Sequence, residues 1–320
     1  MRLLVTGGLG FIGSNFIRFW LTRHPADVVI NLDAQTYAGN PANLADLTGN
    51  PFYHYIHGDI ADPAKVAEAM DLNPDAVINF AAESHVDRSI QAAAPFIRTN
   101  VAGVQVLLEA VRRHKTRLFV QISTDEVYGS VASGKSKVTD PLLPSSPYSA
   151  AKAAADLLVQ AYIRTYRIPA IITRCTNNYG PYQHPEKFLP LLITRSLTRG
   201  LLPVYGDGLQ VRDWLYVLDH CHALELVIQR GEPGKIYHIG AEDPQPNIEV
   251  ARAILDYFRL PTAYLVHVPD RPGHDRRYCL DTAATRSELG WKPTVGFAEG
   301  LRQTIRWYQE NEAWWRPLIQ

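Results

Sequence analysis

The chain has 320 residues, of which 46% are hydrophobic and 20% are charged, which predicts an ordinary soluble globular protein with a core large enough for two cooperating lobes. Its 32 lysines and arginines balance its 32 aspartates and glutamates, so no global field would recruit nucleic acid or an anionic membrane surface. We therefore expect no nucleic-acid or membrane partner, and any anionic ligand must be held by local charges.

The cysteine pattern and the start of the chain bear on its location. Cys175, Cys221 and Cys279 form neither a CxxC pair nor a disulfide framework, which favours a reducing cytoplasm. Residues 1–6 run directly into a glycine turn, too short a stretch for a signal peptide, and no apolar run approaches membrane-spanning length. A cytoplasmic location is expected.

In the first half of the chain, short apolar runs alternate with longer amphipathic stretches. The runs predict strands at residues 3–6, 28–33, 53–57, 76–81, 118–123 and 170–173. The amphipathic stretches predict helices at residues 12–23, 63–70, 96–114 and 150–166. This alternation predicts an α/β fold with a Rossmann-type, doubly wound parallel sheet.

The alternation ends near residue 174, beyond which prolines and glycines multiply and apolar segments shorten. We predict a first domain at residues 1–174 and a smaller C-terminal lobe at residues 175–320, with some segments returning to the first domain. Residues 131–146 are rich in Ser, Pro and Lys and are expected to form a surface loop.

A glycine-rich turn at residues 6–13 follows the first predicted strand and opens the first helix. Gly7, Gly10 and Gly13 let the backbone turn tightly and approach a pyrophosphate that faces the helix N-terminus. Asp33 ends the second strand, where its carboxylate accepts hydrogen bonds from a ribose and repels a 2′-phosphate. The turn predicts dinucleotide binding, and Asp33 favours NAD over NADP.

Weaker signals lie at the same edge of the predicted sheet. Asp59 closes the third strand, where an adenine could lie, and the small residues Ala81 and Ala82 at the end of the fourth would let a nicotinamide mononucleotide pass close to the sheet. Their shared location supports the dinucleotide site.

Tyr148 and Lys152 are four residues apart, so they share one face of a helix. The Lys152 ammonium can then lie near the Tyr148 phenol and favour the phenolate. A phenol titrates at ~10, so it needs such help before it can act as a base near neutral pH. With the glycine turn, this pair resembles the extended short-chain dehydrogenase/reductases that act on nucleotide sugars.

The motif that discriminates among such enzymes covers residues 122–129. Asp125 and Glu126 can serve one substrate only if the chain has left the strand there, since successive strand residues point to opposite faces. Two carboxyl groups beside an NAD site suit loss of water, in which one donates a proton while the other accepts one.

This motif resembles that of the dTDP-glucose 4,6-dehydratase family, and the resemblance extends over nearly the whole chain. It implies oxidation of the sugar at C4 by NAD, elimination of water across C5 and C6, and return of the hydride to C6. Asp125 would protonate the departing C6 hydroxyl and Glu126 would remove the C5 proton. Tyr148 would take the C4 hydroxyl proton with Lys152 beside it, and Thr124 would hydrogen-bond the C4 oxygen.

The resemblance also implies binding residues. Cofactor contacts are expected at Gly7, Gly10, Phe11, Ile12, Gly13, Asp33, Thr36, Asp59, Ile60, Ala81, Ala82, Thr99, Tyr148, Lys152 and Asn178. Substrate contacts are expected at Ser84, Thr124, Asn177, Lys187, Phe188, Pro203, Tyr205, Arg212, Asn247, Arg271 and His274. Among the latter, Arg212 and Asn247 would grip the diphosphate. The first domain would thus bind NAD and the second the nucleotide sugar.

Several alternatives stay open. The sequence does not identify the nucleotide base, so UDP-glucose and CDP-glucose are alternative substrates. A 4-epimerase or a glucuronate decarboxylase needs no acid at C6, and a non-catalytic NAD sensor would be free to lose the reacting groups. The histidines form no metal-ligand cluster, so no metal is expected. Trp307, Trp314 and Trp315 are expected to be packing residues, and helices 96–114 and 150–166 are expected to pair with their copies in a homodimer.

Overall fold

The structure is a computed structural model and describes residues 1–319. Its strands are β1 (Arg2–Thr6), β2 (Val28–Asp33), β3 (Tyr53–His57), β4 (Ala76–Asn79), β5 (Leu118–Thr124), β6 (Ala170–Cys175), β7 (Asn177–Tyr179), β8 (Leu202–Tyr205), β9 (Val211–Tyr216), β10 (Ile236–Ile239), β11 (Pro244–Pro246) and β12 (Leu265–Val268). Its α-helices are α1 (Phe11–Arg23), α2 (Pro63–Met70), α3 (Val86–Gln91), α4 (Ala94–Ile97), α5 (Val104–His114), α6 (Pro147–Tyr166), α7 (Phe188–Leu197), α8 (Val217–Arg230), α9 (Asn247–Phe258), α10 (Ala283–Leu289), α11 (Phe297–Glu310) and α12 (Glu312–Trp315).

Seven strands form one parallel sheet in the order β10-β6-β5-β4-β1-β2-β3. The chain builds outward from β1 through β2 to β3, then returns to lay β4 on the other side of β1. The strand order therefore reverses between β1 and β4. In doubly wound sheets a crevice opens at the carboxyl ends of the strands at such a point, and ligands bind there.

Both faces of this sheet are buried, because side chains alternate along each strand. Leu3 and Val5 of β1 join one apolar core, in which helices α1 and α8 pack against each other. Leu4 of β1 and Ile30 of β2 join the core on the opposite face, which helices α2, α5 and α6 cover.

Much of the second half of the chain forms a smaller lobe, although helix α8 packs on the large sheet. Strands β11, β9 and β7 make a three-stranded sheet, and β12 pairs with β8. An aromatic core that includes Tyr179, Trp214 and Tyr308 lies beneath them. Strand β10, although it comes from this half, completes the large sheet beside β6. The domain boundary at residue 174, with some later segments returning to the first domain, stays a prediction.

The predicted fold class is confirmed, and the strands at 28–33 and 53–57 and the helix at 63–70 have their predicted bounds. Residues 96–114, predicted as one helix, are helical throughout, but a π-helical turn (Arg98–Gly103) lies between α4 and α5. The strand predicted at 76–81 ends at Asn79, since the chain leaves the sheet towards the crevice. No helix within residues 1–319 is both long and apolar enough to span a bilayer.

Candidate active site

A cleft of about 330 Å³ opens at the carboxyl ends of β1 and β4. It continues into a second cavity of about 250 Å³ that reaches into the smaller lobe. We call these the first and second compartments. Residues that line both include Ser84, Glu126, Asn177 and Lys187, so the two compartments form one continuous site.

The structure brings the predicted site residues together. All fifteen residues expected to contact the cofactor line the first compartment, and so do Thr124, Asp125 and Glu126. The remaining predicted substrate residues line the second compartment, namely Phe188, Pro203, Tyr205, Arg212, Asn247, Arg271 and His274. The roles assigned to these residues stay predictions.

The glycine turn is held by side chains of β2. Gly8 donates its backbone N–H to Asn31 Oδ1 at 3.0 Å, and Leu9 donates to Asp33 Oδ2 at 2.9 Å. Gly7 has a φ of 70°, and a Cβ there would lie 2.6 Å from the backbone of Ala81, so only glycine is tolerated.

Helix α1 begins at this turn with neither a capping side chain nor an acidic residue in its first turn. Its N-terminal N–H groups and the positive end of its dipole are therefore available to an anion. This arrangement fits a dinucleotide diphosphate.

Asp33 is 7% exposed at the end of β2. Its Oδ1 accepts a hydrogen bond from the Gln35 backbone N–H at 2.8 Å. Burial raises the pKa of its carboxyl group, although the backbone hydrogen bonds from Gln35 and Leu9 act to lower that pKa. A Cβ on Gly39 would come within 2.8 Å of Asp33 Oδ1. The glycine thus leaves the approach to this acceptor open, which fits a ribose hydroxyl pair.

The two predicted catalytic carboxyl groups lie where the chain leaves β5. A 3-10 turn, Asp125–Tyr128, begins directly after the strand, and Thr124 Oγ1 caps it by accepting the Glu126 N–H at 3.2 Å. The change of direction lets Asp125 and Glu126, although adjacent, both face the first compartment. This is the geometry that the sequence motif required.

The surroundings of these carboxyl groups differ. Burial and the neighbouring charge of Glu126 raise the pKa of Asp125 well above its ordinary value. Burial also raises the pKa of Glu126, but Arg271, Arg212 and Lys187 oppose that rise. The charges around Glu126 thus oppose the rise in its pKa more than those around Asp125 do, which suits Glu126 as the base and Asp125 as the acid. Asp125 Oδ2 is buried without a partner among the described residues, which leaves it free for a ligand.

Tyr148 and Lys152 lie on helix α6 and are both buried. Lys152 Nζ donates to the Ile122 carbonyl at 2.6 Å. We expected Lys152 to lower the pKa of the Tyr148 phenol, but that pKa is raised well above its ordinary value. Burial is the main cause and the charge of Glu126 the next, because both oppose a second anion in this cleft.

The second compartment carries cations and unpaired polar atoms. Arg212 donates to the Asp275 carbonyl at 2.8 Å, and its guanidinium lies 4.2 Å from the centre of the Tyr278 ring. Arg271 pairs with Asp87 at 3.3 Å, and its Nε is buried with no partner among the described residues. Asn247 Oδ1 is likewise unpartnered there. The guanidinium N–H donors of Arg212 and Arg271 suit a diphosphate, whereas Asn247 Oδ1 is itself an acceptor.

Sequence reasoning missed several lining residues. Glu83, Cys175 and Tyr278 carry no recognisable signal, because their place in the site depends on how separate segments meet. Trp314 was expected only to pack; it does pack against Tyr182, at 5.8 Å between ring centres, but it also lines the first compartment. Within residues 1–319 no group of three or more His, Cys, Asp or Glu side chains is arranged to hold a metal ion.

Comparison with known proteins places the site in context. The model of the GDP-mannose 4,6-dehydratase family matches residues 4–304. A dTDP-glucose 4,6-dehydratase from Streptomyces niveus is 50% identical over 322 residues, which cover 99% of this chain and 96% of the relative. One from Mycobacterium tuberculosis is 48% identical over 322 residues, again covering 99% and 96%.

Solved structures agree in fold. The crystal structure of a dTDP-glucose 4,6-dehydratase from Streptomyces venezuelae, with NAD bound, has a TM-score of 0.97 at 50% identity and covers 99% of this chain and 100% of that one. A UDP-glucose 4-epimerase from Thermus thermophilus, in complex with NAD, has a TM-score of 0.90 at 30% identity and covers 97% of this chain and 100% of that one. Since an epimerase shares the fold, the residues of the site must decide the chemistry.

Proposed function

The chain belongs to the GDP-mannose 4,6-dehydratase family and, within it, to the dTDP-glucose 4,6-dehydratases, and on that premise we propose that it dehydrates dTDP-glucose. The enzyme is a hydro-lyase that depends on NAD, and its product is dTDP-4-keto-6-deoxy-glucose. The observation that carries this function is a pair of carboxyl groups, the buried Asp125 and the half-buried Glu126, in one cleft with Tyr148 and the glycine turn. An epimerase has no use for an acid at C6.

When bound, NAD would supply the hydride chemistry, as acceptor of a hydride from C4 of the sugar and donor of that hydride to C6. The residues that hold it are those of the glycine turn and the neighbouring strand ends, with Asp33 at the adenosine ribose. These residues fit NAD because the first turn of α1 is free of acidic side chains and Gly39 leaves Asp33 accessible.

The first proton moves at the C4 hydroxyl. Tyr148 accepts this proton at its phenol oxygen, and the Thr124 hydroxyl orients the C4 oxygen. The raised pKa of Tyr148 makes its phenolate a strong base that needs a nearby cation. Lys152 lies one helical turn along α6 and is fixed by the Ile122 carbonyl, so we assign that task to its ammonium.

Water is then lost across C5 and C6. Glu126 removes the C5 proton, which the C4 ketone has made acidic, while Asp125 gives its own proton to the C6 hydroxyl. The C6–O bond breaks, water leaves and a C5–C6 double bond forms. After hydride has reached C6, Glu126 returns a proton to C5, so the sugar gains a methyl group with no net oxidation.

The second compartment holds the rest of the substrate. Arg212, Arg271 and Asn247 bind the diphosphate, and Lys187 with Phe188 contacts the nucleotide. Phe188 lies nearly parallel to Trp214, with ring centres 6.3 Å apart, and offers an apolar wall beside Pro203 and Tyr205 for the base.

We further propose that the protein works in the cytoplasm as a homodimer. Its three cysteines are free and buried, which suits a reducing compartment. Helices α5 and α6 lie side by side, linked by the Tyr162 hydroxyl, which donates to Glu109 at 2.7 Å. Leu157 of α6 is 57% exposed beside them and supplies apolar surface for a second copy.

Incubating the purified protein separately with dTDP-glucose, UDP-glucose and dTDP-galactose, with no NAD added, tests this function. We expect mass spectrometry to detect a 4-keto-6-deoxysugar from dTDP-glucose, since NAD is regenerated in each turnover. Faster conversion of UDP-glucose would overturn the nucleotide assignment. Epimerised sugar without loss of water, which NMR distinguishes because epimers share one mass, would overturn the reaction itself.

A further inference from the structure

A series of contacts joins the glycine turn to the C-terminal segment, by which we mean residues 312–319. Asn43 is 1% exposed. Its Nδ2 donates to the Leu9 carbonyl inside the turn at 2.8 Å, and its Oδ1 accepts the indole N–H of Trp314, also at 2.8 Å. One buried amide thus connects the turn directly to Trp314.

A second series runs from helix α1 to the same tryptophan. Asn15 Nδ2 donates to the carbonyls of Phe11 and Pro181, each at 2.9 Å. The next residue, Tyr182, has a φ of 64°, a left-handed conformation that is unfavourable for a side chain of this size. Such strain persists only where surrounding contacts impose it.

Those contacts come from the C-terminal part of the chain and from helix α1. The Tyr182 ring lies 4.8 Å from the Trp307 ring and 5.8 Å from the Trp314 ring, and the Arg18 guanidinium covers it at 5.0 Å. Both series therefore end at Trp314, and they enclose the turn and the first residues of α1 between them. Trp314, Tyr182 and Leu318 also line the first compartment.

We propose that Trp314 is a positioning residue of the cofactor site, which fixes the glycine turn and closes this side of the cleft so that NAD stays bound between turnovers. Its indole N–H holds Asn43 and, through it, the Leu9 carbonyl, while its ring supports Tyr182. No group of Trp314 takes part in proton transfer. The inference rests on the proposed function, because that function requires retained NAD.

Exchange of bound cofactor tests this role. The holoenzyme is mixed with an excess of deuterium-labelled NAD, and the labelled fraction of protein-bound NAD is followed by mass spectrometry after rapid gel filtration. Trp314→Phe keeps a ring but loses the indole bond, and we expect exchange about threefold faster than in the wild type. Trp314→Ala loses both contacts, and we expect exchange about tenfold faster.

Trp291→Phe is the matched control. Trp291 is 1% exposed, lines neither compartment and donates its indole N–H to the Asp219 carbonyl at 3.1 Å. This variant also loses one buried indole bond, so its melting temperature should fall, yet its NAD exchange should match the wild type. A purely structural role for Trp314 would make the exchange rates follow the melting temperatures.

Unchanged exchange in Trp314→Ala would overturn the proposal, and so would equal acceleration in Trp291→Phe. Wild-type protein that holds no NAD after purification would overturn it too. The wild type is assayed with dTDP-glucose in the same preparation, so a failure of dehydration, which concerns the proposed function, is distinguished from a failure of retention.

Discussion

Asp125 and Glu126 are adjacent in the chain, yet each faces different charges. Glu126 has three cations near it, Arg271, Arg212 and Lys187, whereas the charge that acts most strongly on Asp125 is the anion Glu126. These surroundings favour the protonated form more strongly at Asp125 than at Glu126, which suits concerted loss of water. The sequence predicted the pair, but not the cations around it, because these come from segments far apart in the chain.

Replacing Asp125 by Asn removes the proton that the C6 hydroxyl must receive. We expect Asp125→Asn to slow dehydration by about 10²–10⁴-fold, while C4 oxidation continues and NADH absorbance builds up. Stopped-flow absorbance measures the oxidation, and mass spectrometry measures the loss of water. Undiminished dehydration would remove Asp125 from its assigned role.

The pH profile of kcat should report Glu126. This group must be deprotonated to act, so kcat at saturating dTDP-glucose should fall as the pH drops through its pKa, which burial holds above the ordinary value of 4.5. Arg271 is the strongest charge that opposes this rise, so Arg271→Met should raise the pKa further and move the acid limb to higher pH.

A control for this shift lies on the same loop. Arg276 pairs on the surface with Asp207 at 2.7 Å, and Arg276→Met should leave the acid limb in place. An acid limb that stays fixed in Arg271→Met, or moves to lower pH, would mean that another group controls it.

At the scale of elements, helix α6 connects the reacting groups to the sheet. Tyr148, Lys152 and Asp156 follow one another at four-residue spacing and so share a face. Asp156 is fully buried and accepts from the Arg174 guanidinium of β6 at 2.9 Å. This ion pair fixes the middle of helix α6 against the sheet.

Removing Arg174 alone leaves the buried Asp156 carboxylate without a compensating charge. We expect Arg174→Met to lower the free energy of unfolding by about 3–5 kcal/mol, measured by urea denaturation. The double variant Arg174→Met with Asp156→Leu removes both charges and should recover most of that loss. Equal stability of Arg174→Met and the wild type would show that the pair contributes nothing.

The ends of helices and strands could be predicted where local sequence signals agree, but not where tertiary contacts determine them. Helix α6 begins at Pro147 because Ser146 and Ser149 form a reciprocal capping box, a start that apolar spacing placed at residue 150. The helix predicted at 96–114 contains a π-helical turn around Gly103, where a Cβ would lie 2.6 Å from Ile60. That close approach is a tertiary contact with no signal in local sequence.

At the scale of the molecule, exposed apolar residues indicate where two copies of the chain would pack together. Ile97, Leu157 and Tyr166 are 51%, 57% and 49% exposed. Leu157 and Tyr166 belong to helix α6, and Ile97 ends α4, which contacts α6. This is the surface that the proposed homodimer would bury.

Replacing Leu157 by Glu places a charge on that surface. We expect Leu157→Glu to be monomeric by light scattering at a concentration where the wild type is dimeric, because an unpaired charge is costly to bury. Leu201→Glu, at a residue that is 54% exposed just before β8, should remain dimeric. A monomeric wild type would contradict the proposed assembly.

The overall architecture and the location of the site followed from the sequence, because the strand-helix alternation and the glycine turn together specify a crevice at the strand ends. The strand pairing within the smaller lobe did not, since its short strands pair with distant segments, as β12 does with β8. The C-terminal wall of the cofactor cleft was also unpredictable, because nothing near Trp314 in sequence points to Asn43.

The central claim is that hydrogen leaves C4 and returns to the same sugar at C6 while Asp125 and Glu126 remove water. Conversion of dTDP-glucose deuterated at C4, followed by NMR and mass spectrometry, tests this most directly. We predict one deuterium in the new C6 methyl group of each product molecule. A methyl group without the label, or a product that still carries its C6 hydroxyl, would contradict the account.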